Sequence, residues 1–137
     1  MNTFKLKIIA CDRVFYEGEC ESLVFLSADG KMGIMANHES MTTAVEIGEI
    51  KFKTPDGQEH VAITSDGIMK CNHNQVVILV YSCEKPEEID VFRAKEAKER
   101  AMEQLAQKQS IMEYHISRAS LARAMARISG KDKYVGG

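Results

Sequence analysis

Residues 49 to 64, EIKFKTPDGQEHVAIT, form the clearest β-hairpin pattern in the chain. Ile50 and Phe52 alternate with charged side chains, which suits a strand with one buried face and one solvated face. The turn Thr54-Pro55-Asp56-Gly57 places proline where φ is about −65° and glycine where φ can be positive. The alternation resumes over residues 60 to 64, so the segment predicts two antiparallel strands joined by a tight turn.

The same pattern extends over the first eighty residues. Phe4, Leu6 and Ile8 alternate with polar side chains in the same way. Further turns are indicated at Ala28-Asp29-Gly30, Ser65-Asp66-Gly67 and Asn72-His73-Asn74. Short strands at this spacing are typical of an antiparallel sandwich or barrel. A parallel sheet is not expected, because no helix of crossover length separates the strands.

The hydrophobic period changes after Cys83. Pro86 can occupy the first position of a helix, acidic residues follow it, and no further proline or glycine occurs before Gly130. A polar break at residues 107 to 110 is followed by Ser110 and Glu113, which have the spacing of a capping box. The buried stripes are expected at Ile89, Phe92, Ala97, Ala101 and Leu105, and then at Ile116, Ala119, Ala122 and Ala126.

These patterns predict an α+β chain, with an N-terminal antiparallel β-sandwich in residues 1–84 and a two-helix antiparallel hairpin in residues 85–137. Both helices carry alanine where a core would ordinarily carry leucine, so they bury little apolar area. We therefore expect the hairpin to be weakly stable and able to exchange one packing partner for another.

Composition excludes several classes of protein. Eighteen basic and twenty acidic residues give a net charge of −2, so no global positive field attracts nucleic acid. Residues 87 to 127 hold seven acidic and eight basic residues, intermixed, which also disfavours a nucleic-acid-binding hairpin. No apolar run approaches the roughly 18 residues of a membrane span. The opening MNTFKLK lacks the apolar core of a signal peptide, so export by that route is not expected.

Motifs for catalysis and metal binding are scarce. The chain has no G-x-S-x-G, H-E-x-x-H or phosphate-loop pattern, so we expect no catalytic activity of its own. Cys71-Asn72-His73 is a weak metal candidate, since no second ligand pair accompanies it. His38 suits a structural hydrogen bond better than general-base catalysis and remains a candidate surface residue. The four cysteines are expected to be reduced and mostly buried.

Arginine spacing in the tail allows two interpretations. Arg93 and Arg100 lie near one face of the first helix together with Asp90, and Arg123 and Arg127 share a face of the second. In a folded hairpin these guanidinium groups could bind a polyphosphate through paired, charge-assisted hydrogen bonds. The alternative is an ordinary solvated surface with salt bridges.

Several fragments, in order and spacing, resemble the epsilon subunit family of bacterial F-type ATP synthases. The sandwich half carries Gly30-Lys31-Met32-Gly33-Ile34, then Asn37-His38, then Gly48. The tail begins Ile89-Asp90-Val91-Phe92-Arg93-Ala94, which is similar to the I-D-x-x-R-A motif of nucleotide-responsive members. The second helix resembles the family through Arg118-Ala119 and residues 123 to 127.

The resemblance implies a non-catalytic subunit at the foot of the rotor. Its sandwich would bind the gamma subunit and the c ring, at the cytoplasmic face of the bacterial membrane, with no direct membrane contact and no nucleic acid. Its hairpin would either fold back or extend into the alpha/beta head and impede ATP hydrolysis, with ATP favouring the folded form. No cofactor would be required, and ATP would be a regulatory ligand. The alternative interpretation is a free-standing ATP-binding sensor.

Site residues also follow from the resemblance. The residues implied to contact ATP are Glu84, Ile89, Asp90, Arg93, Ala94, Arg100, Arg123 and Arg127. Those implied to face the c ring or gamma are Lys31, Met32 and His38.

The chain departs from the family pattern at three places. Ser40 stands where proline commonly follows the histidine, Asp66-Gly67 replaces a frequent Gly-Gly, and Lys31 occupies a position that is often acidic. We expect altered loop conformations at the first two and an altered charge partner at the third.

Overall fold

The computed structural model describes residues 2–107 and 110–135, and the chain divides into two compact units, Met1–Glu84 and Lys85–Gly137. The first unit contains short strands joined by tight turns. They are β1 (Phe4–Ile9), β2 (Val14–Cys20), β3 (Ser22–Ser27), β4 (Gly30–Met35), β5 (Met41–Val45), β6 (Gly48–Lys53), β7 (Glu59–Thr64), β8 (Gly67–Asn72), β9 (Gln75–Val80) and β10 (Cys83–Glu84).

Two five-stranded sheets form the first unit, so it is a sandwich rather than a barrel. The first sheet has the order β2-β1-β9-β8-β5, and the second has the order β10-β7-β6-β3-β4. β1 and β9 run parallel, with Lys5 opposite Gln75 and Ile9 opposite Leu79. This pair corrects the expectation of purely antiparallel pairing. It needs no crossover helix, because strands of both sheets lie between β1 and β9 in the sequence.

The alternating residues of the strands fill the space between the sheets. Phe4, Leu6 and Ile8 are each at most 1% exposed, and Ile50 and Phe52 are 1% and 2% exposed. The expected hairpin is present, since β6 and β7 pair from Gly48 to Lys53 across the turn at Thr54. The predicted β-sandwich and the helical tail are therefore confirmed, with the parallel β1–β9 pair as the exception to antiparallel pairing.

The first α-helix of the second unit starts later than the position of Pro86 suggests. Pro86–Glu88 form a single 3₁₀ turn, α1 spans Val91–Ala106, and α2 spans Ile111–Val135. Asp90 is the N-cap of α1, and its carboxylate accepts a hydrogen bond from the Arg93 amide at 3.1 Å. The cap sets the start of the helix because it satisfies an amide that has no partner within the helix. The expected cap of α2 is present, since the Glu113 amide donates to Ser110 Oγ at 3.1 Å.

The buried faces of the two helices match the expected stripes only in part, since Ile89 and Ala101 are buried as expected but other members are not. Phe92 is 71% exposed and Ile116 is 58% exposed, and Ala122 is also exposed. The residues that are buried are all small: Ala94 and Ala101 on α1, and Ser117, Ala124 and Gly130 on α2. Small side chains allow the two helix backbones to approach closely. A larger apolar side chain fits only at the edge of the contact between the helices. α2 also continues through Gly130 to Val135.

Neither helix in the described part of the chain is long and apolar enough to cross a membrane. The cysteines are free thiols; Cys20, Cys71 and Cys83 are buried, while Cys11 is exposed.

Candidate functional site

Two hydrogen bonds fix the register of the hairpin. Ser117 Oγ donates to Gln104 Oε1 at 3.3 Å, and Lys131 Nζ donates to the carbonyl oxygen of Glu87 at 3.2 Å. The helices run antiparallel, so these bonds place Arg127 level with about residues 91 to 94 and Arg123 level with about residues 95 to 98.

The register brings four arginines to one side of the hairpin. Arg93 and Arg100 each precede a buried alanine of α1 by one residue, and Arg123 precedes the buried Ala124 of α2 in the same way. In two antiparallel right-handed helices, the positions one step before an inward-facing residue lie on the same side of the pair. Arg127, three residues after Ala124, lies on that side too. We call this surface the arginine face, made of Arg93, Arg100, Arg123 and Arg127.

Asp90 borders the arginine face at the start of α1. Its Oδ2 lies 3.6 Å from Arg93 Nε, while Oδ1 accepts the Arg93 amide. The Arg93 side chain is 82% exposed, so this ion pair holds the guanidinium weakly and an incoming anion can replace it.

The other arginines of the face differ in exposure. Arg100 Nη1 lies 4.0 Å from Glu96 Oε2, and its side chain is 66% exposed. Arg123 Nη2 donates to Ser120 Oγ at 3.2 Å. Arg123 and Arg127 are both half-buried. Such contacts fit either interpretation offered by the sequence, but the common side is what a phosphate-binding surface requires.

The remaining predicted ATP-site residues differ from the arginines in exposure and location. Ile89 is 3% exposed and Ala94 is fully buried, so neither offers more than backbone or edge contact. Glu84 belongs to β10 in the first unit, where it pairs with Ile63 of β7.

The opposite side of the hairpin carries a different surface. Arg118 lies there, with its guanidinium carbon 5.8 Å from the centre of the Tyr114 ring. An open groove of about 510 Å³ runs along the same side and is lined by Lys98, Met125, Ile128, Ser129, Asp132 and Lys133. Arg118 is therefore separated from the arginine face, as its sequence spacing predicts.

The predicted interface residues of the sandwich lie at the two ends of β4, an edge strand. Lys31 is exposed at the start of β4, next to the half-buried Met32, which packs against the core. His38 follows the end of β4 by three residues, and its Nδ1 donates to the Glu39 carbonyl oxygen at 2.8 Å. The length of β4 thus separates Lys31 from His38.

Sequence reasoning missed an apolar row on the outer face of the first sheet. Ile9 lies opposite Leu79, Leu79 opposite Ile68, and Ile68 opposite Ala44, across four neighbouring strands. Leu79 is 47% exposed and Ile68 is 44% exposed. The available signal was the unbroken apolar run of residues 76 to 80, which indicates a strand that is apolar on both faces.

The Cys71-Asn72-His73 segment does not assemble a metal site. Cys71 is buried and its thiol donates to the carbonyl oxygen of His38 at 3.9 Å, whereas His73 is exposed. Burial raises the pKa of the Cys71 thiol and disfavours the thiolate that binds metals. Within residues 2–107 and 110–135, no three His, Cys, Asp or Glu side chains are grouped as metal ligands.

Two family descriptions together match most of the chain. "ATP synthase, Delta/Epsilon chain, beta-sandwich domain" matches residues 3–86, and "ATP synthase, Delta/Epsilon chain, long alpha-helix domain" matches residues 87–129. The ATP synthase epsilon chain of Ruminiclostridium cellulolyticum is 43% identical over 133 residues, covering 97% of this chain and 98% of that protein. The epsilon chain of Caldanaerobacter subterraneus is 41% identical, with 96% of each chain covered.

Solved structures share the fold at much lower identity. A chain in the Euglena gracilis mitochondrial ATP synthase structure (OSCP/F1/c-ring) aligns with a TM-score of 0.76 at 19% identity, covering 92% of this chain and 79% of that one. A chain in the Tetrahymena thermophila mitochondrial ATP synthase structure (central stalk/c-ring) aligns with a TM-score of 0.66 at 8% identity, covering 93% and 95%.

Proposed function

Since the chain belongs to the ATP synthase delta/epsilon chain family, we propose that it is a non-catalytic central-stalk subunit of a bacterial F-type ATP synthase. It couples the catalytic head to the c ring and regulates ATP hydrolysis through its hairpin. It acts at the cytoplasmic face of the membrane and is held there through the complex alone. The arginine face carries the regulatory part of this proposal.

The gamma subunit binds the apolar row of the first sheet. Exposed or half-buried apolar side chains are aligned across four strands, and apolar patches of this kind mark sites of protein association. Lys7 and Lys70 lie in the next row along the sheet, on either side of Val77. They would supply a charged rim beside the apolar centre, which is the usual arrangement of an interface.

The c ring is contacted by Lys31, Met32 and His38. Residues 36–40, which follow β4 and include His38, are called the ring-facing loop below. Because Lys31 lies at the far end of β4, the contact with the ring would extend along this edge strand. A basic residue at position 31 selects an acidic or carbonyl-rich partner surface.

ATP binds on the arginine face in this proposal. Each guanidinium fork can donate two parallel hydrogen bonds to phosphate oxygens, so arginines from both helices can bind one triphosphate without a glycine-rich loop. Asp90 keeps the start of α1 capped while Arg93 turns toward the phosphate. A ligand that bridges α1 and α2 stabilises the folded hairpin, because the arginines come together only when the helices are paired.

Replacing arginines of the face tests this binding mode. Arg123→Ala or Arg127→Ala should weaken ATP binding to the isolated protein about ten- to a hundredfold, since a hydrogen bond to a charged group contributes about 1.5–3 kcal/mol. The measurement is an ATP titration followed by amide NMR signals of both helices. Arg118→Ala, on the opposite side of the hairpin, is the matched control. Equal losses at all three positions would indicate general charge attraction rather than a site.

The rotor role is tested separately from nucleotide binding. A tagged chain should co-purify with gamma and the c ring from membranes, and Leu79→Asp within the apolar row should release it. A free-standing ATP sensor would bind ATP but would not co-purify.

A further inference from the structure

The ring-facing loop is tied at three points to the end of β8 and to the turn that joins β8 and β9. Asn37 has a φ of 62°, which only a small fraction of residues other than glycine adopt. Its amide donates to Asn74 Oδ1 at 2.7 Å. Ser40 Oγ donates to Asn72 Oδ1 at 3.0 Å. The Cys71 thiol donates to the His38 carbonyl oxygen, as described above.

Asn74 is itself held firmly by the first strand. Its Nδ2 donates to the Thr3 carbonyl oxygen at 2.9 Å, and its carbonyl oxygen accepts from the Lys5 amide at 3.2 Å. His73 and Asn74 have φ values of 50° and 58°, as in the two-residue hairpin turn whose twist matches that of the flanking strands. Asn74 is therefore a fixed point that orients the ring-facing loop.

The serine at position 40 gains a role in this arrangement. The resemblance implied proline at this position, and a proline restrains the backbone through its ring. Ser40 lacks that restraint but makes a side-chain hydrogen bond to Asn72. The restraint on the loop is thus supplied by hydrogen bonds between loop and turn instead of by a pyrrolidine ring.

We propose that Asn74, assisted by the Asn72–Ser40 hydrogen bond, positions the ring-facing loop so that His38 is presented to the c ring. Asn74 is a positioning residue, since it acts through the backbone of Asn37. The proposal rests on the ring-facing role assigned to this loop above. It adds the turn between β8 and β9 to the parts of the chain that determine affinity for the ring.

Asn74→Gly isolates the side-chain bonds of Asn74. Glycine adopts a φ of 58° without strain, so the turn is kept while both side-chain hydrogen bonds are lost. In the full-length protein, we expect hydrogen exchange of the Asn37 amide to accelerate at least tenfold, measured by NMR. Asn74→Asp keeps the acceptor for that amide but loses the donor to the Thr3 carbonyl oxygen, so exchange at Asn37 should lie between wild type and Asn74→Gly. His73→Gly changes the adjacent residue of the same turn and should leave exchange at Asn37 unchanged.

Binding is then measured with the same variants. Asn74→Gly should speed dissociation of the chain from a complex of gamma and the c ring about three- to tenfold, with Asn74→Asp closer to wild type. The proposal is overturned if exchange at Asn37 is unaffected by Asn74→Gly. It is also overturned if dissociation is unaffected by Asn74→Gly while His38→Ala accelerates it. If His38→Ala has no effect, the ring-facing role of the loop itself is wrong, and the positioning role falls with it; the exchange data still report separately whether the hydrogen bond exists.

Discussion

A β-carbon added to Gly67 would lie 2.0 Å from the carbonyl oxygen of Leu79 and 2.8 Å from Val80 Cγ1. The nearest obstacle is backbone, which cannot rotate away, so the position requires glycine because β8 and β9 approach closely at that point. The preceding Asp66 is exposed and is absent from the residues with positive φ. Glycine is therefore required at position 67 of this chain but not at position 66, where the backbone suits an aspartate.

Gly67→Ala should lower the free energy of unfolding of the first unit, Met1–Glu84 and called the β unit below, by more than about 3 kcal/mol, because the clash requires a backbone shift in two paired strands. Urea unfolding followed by circular dichroism measures it. Asp66→Gly is the control and should stay within about 1 kcal/mol of wild type. A stable Gly67→Ala protein would contradict the close approach of the two strands.

Asp56 makes the turn between β6 and β7 sensitive to acid. A hydrogen bond from the Thr54 hydroxyl lowers the pKa of Asp56 below its ordinary value of 3.8, and the Gln58 amide adds to the effect at 3.1 Å. A lowered pKa means that the contribution to stability is complete above pH 3.8 and is lost as the pH falls through the lower value in the folded protein. Asp56→Asn should therefore show a smaller drop in its urea midpoint between pH 4 and pH 2 than wild type. Identical pH profiles for wild type and Asp56→Asn would show that Asp56 does not cause the sensitivity to acid.

At the scale of elements, the hairpin depends on close contact between small side chains. Ala124 is 3% exposed, so Ala124→Leu places a large side chain where the helices meet and should cost about 1–3 kcal/mol. Thermal unfolding followed by the helical circular dichroism signal measures the change. Ala122→Leu makes the same substitution at an exposed position of α2 and should shift stability by about 0.5 kcal/mol or less. Equal losses of stability from Ala124→Leu and Ala122→Leu would show that the two helices do not meet at Ala124.

The strands were predictable from sequence and the helix faces were not. Period-two alternation identifies β1 and the β6–β7 hairpin, because burial on one face of a strand selects side chains directly. In the hairpin, alanine occurs both on buried positions such as Ala101 and on exposed ones such as Ala122. Hydrophobicity therefore does not distinguish the buried face of a helix from its exposed face. Phe92 is large and apolar but exposed, so the sequence wrongly assigns it to the buried face.

The candidate site was predictable in part. Spacing alone indicates that Arg93 and Arg100 share a face, and that Arg123 and Arg127 do. That both pairs lie on the same side depends on the register of the hairpin, which the Ser117–Gln104 hydrogen bond fixes. No local pattern encodes such a contact between distant residues. The apolar row across four strands was not predictable for the same reason. It forms only because strands that are distant in the sequence are neighbours in the sheet.

At the scale of the whole molecule, the proposed switch predicts an effect on regulation without an effect on catalysis. ATP can favour the folded hairpin only by as much as it binds that form better than the extended one. Arg93→Ala should raise the ATP concentration that relieves inhibition of hydrolysis by about tenfold or more, while the uninhibited rate of the complex is unchanged. Arg93 is preferable to Asp90 for this test, because Asp90→Ala also removes the helix cap, at a cost of about 1 kcal/mol.

The reference for that measurement is a complex whose chain ends after Glu84, the last residue of the β unit. It lacks the hairpin and should hydrolyse ATP with no dependence of inhibition on ATP concentration. If Arg93→Ala responds to ATP as wild type does, control through the arginine face is excluded.

The parallel pairing of β1 with β9 orders events during synthesis of the chain. β1 is the second strand of its sheet and needs β9 as its other neighbour, yet the residues that pair, Lys5 and Gln75, are separated by most of the β unit. A nascent chain leaving the ribosome therefore holds its first strand half-paired until residues 75 to 80 have emerged. Contacts between such distant residues close late, so the first sheet is completed only once β9 has left the ribosome, when the helices of the second unit are the next elements to emerge.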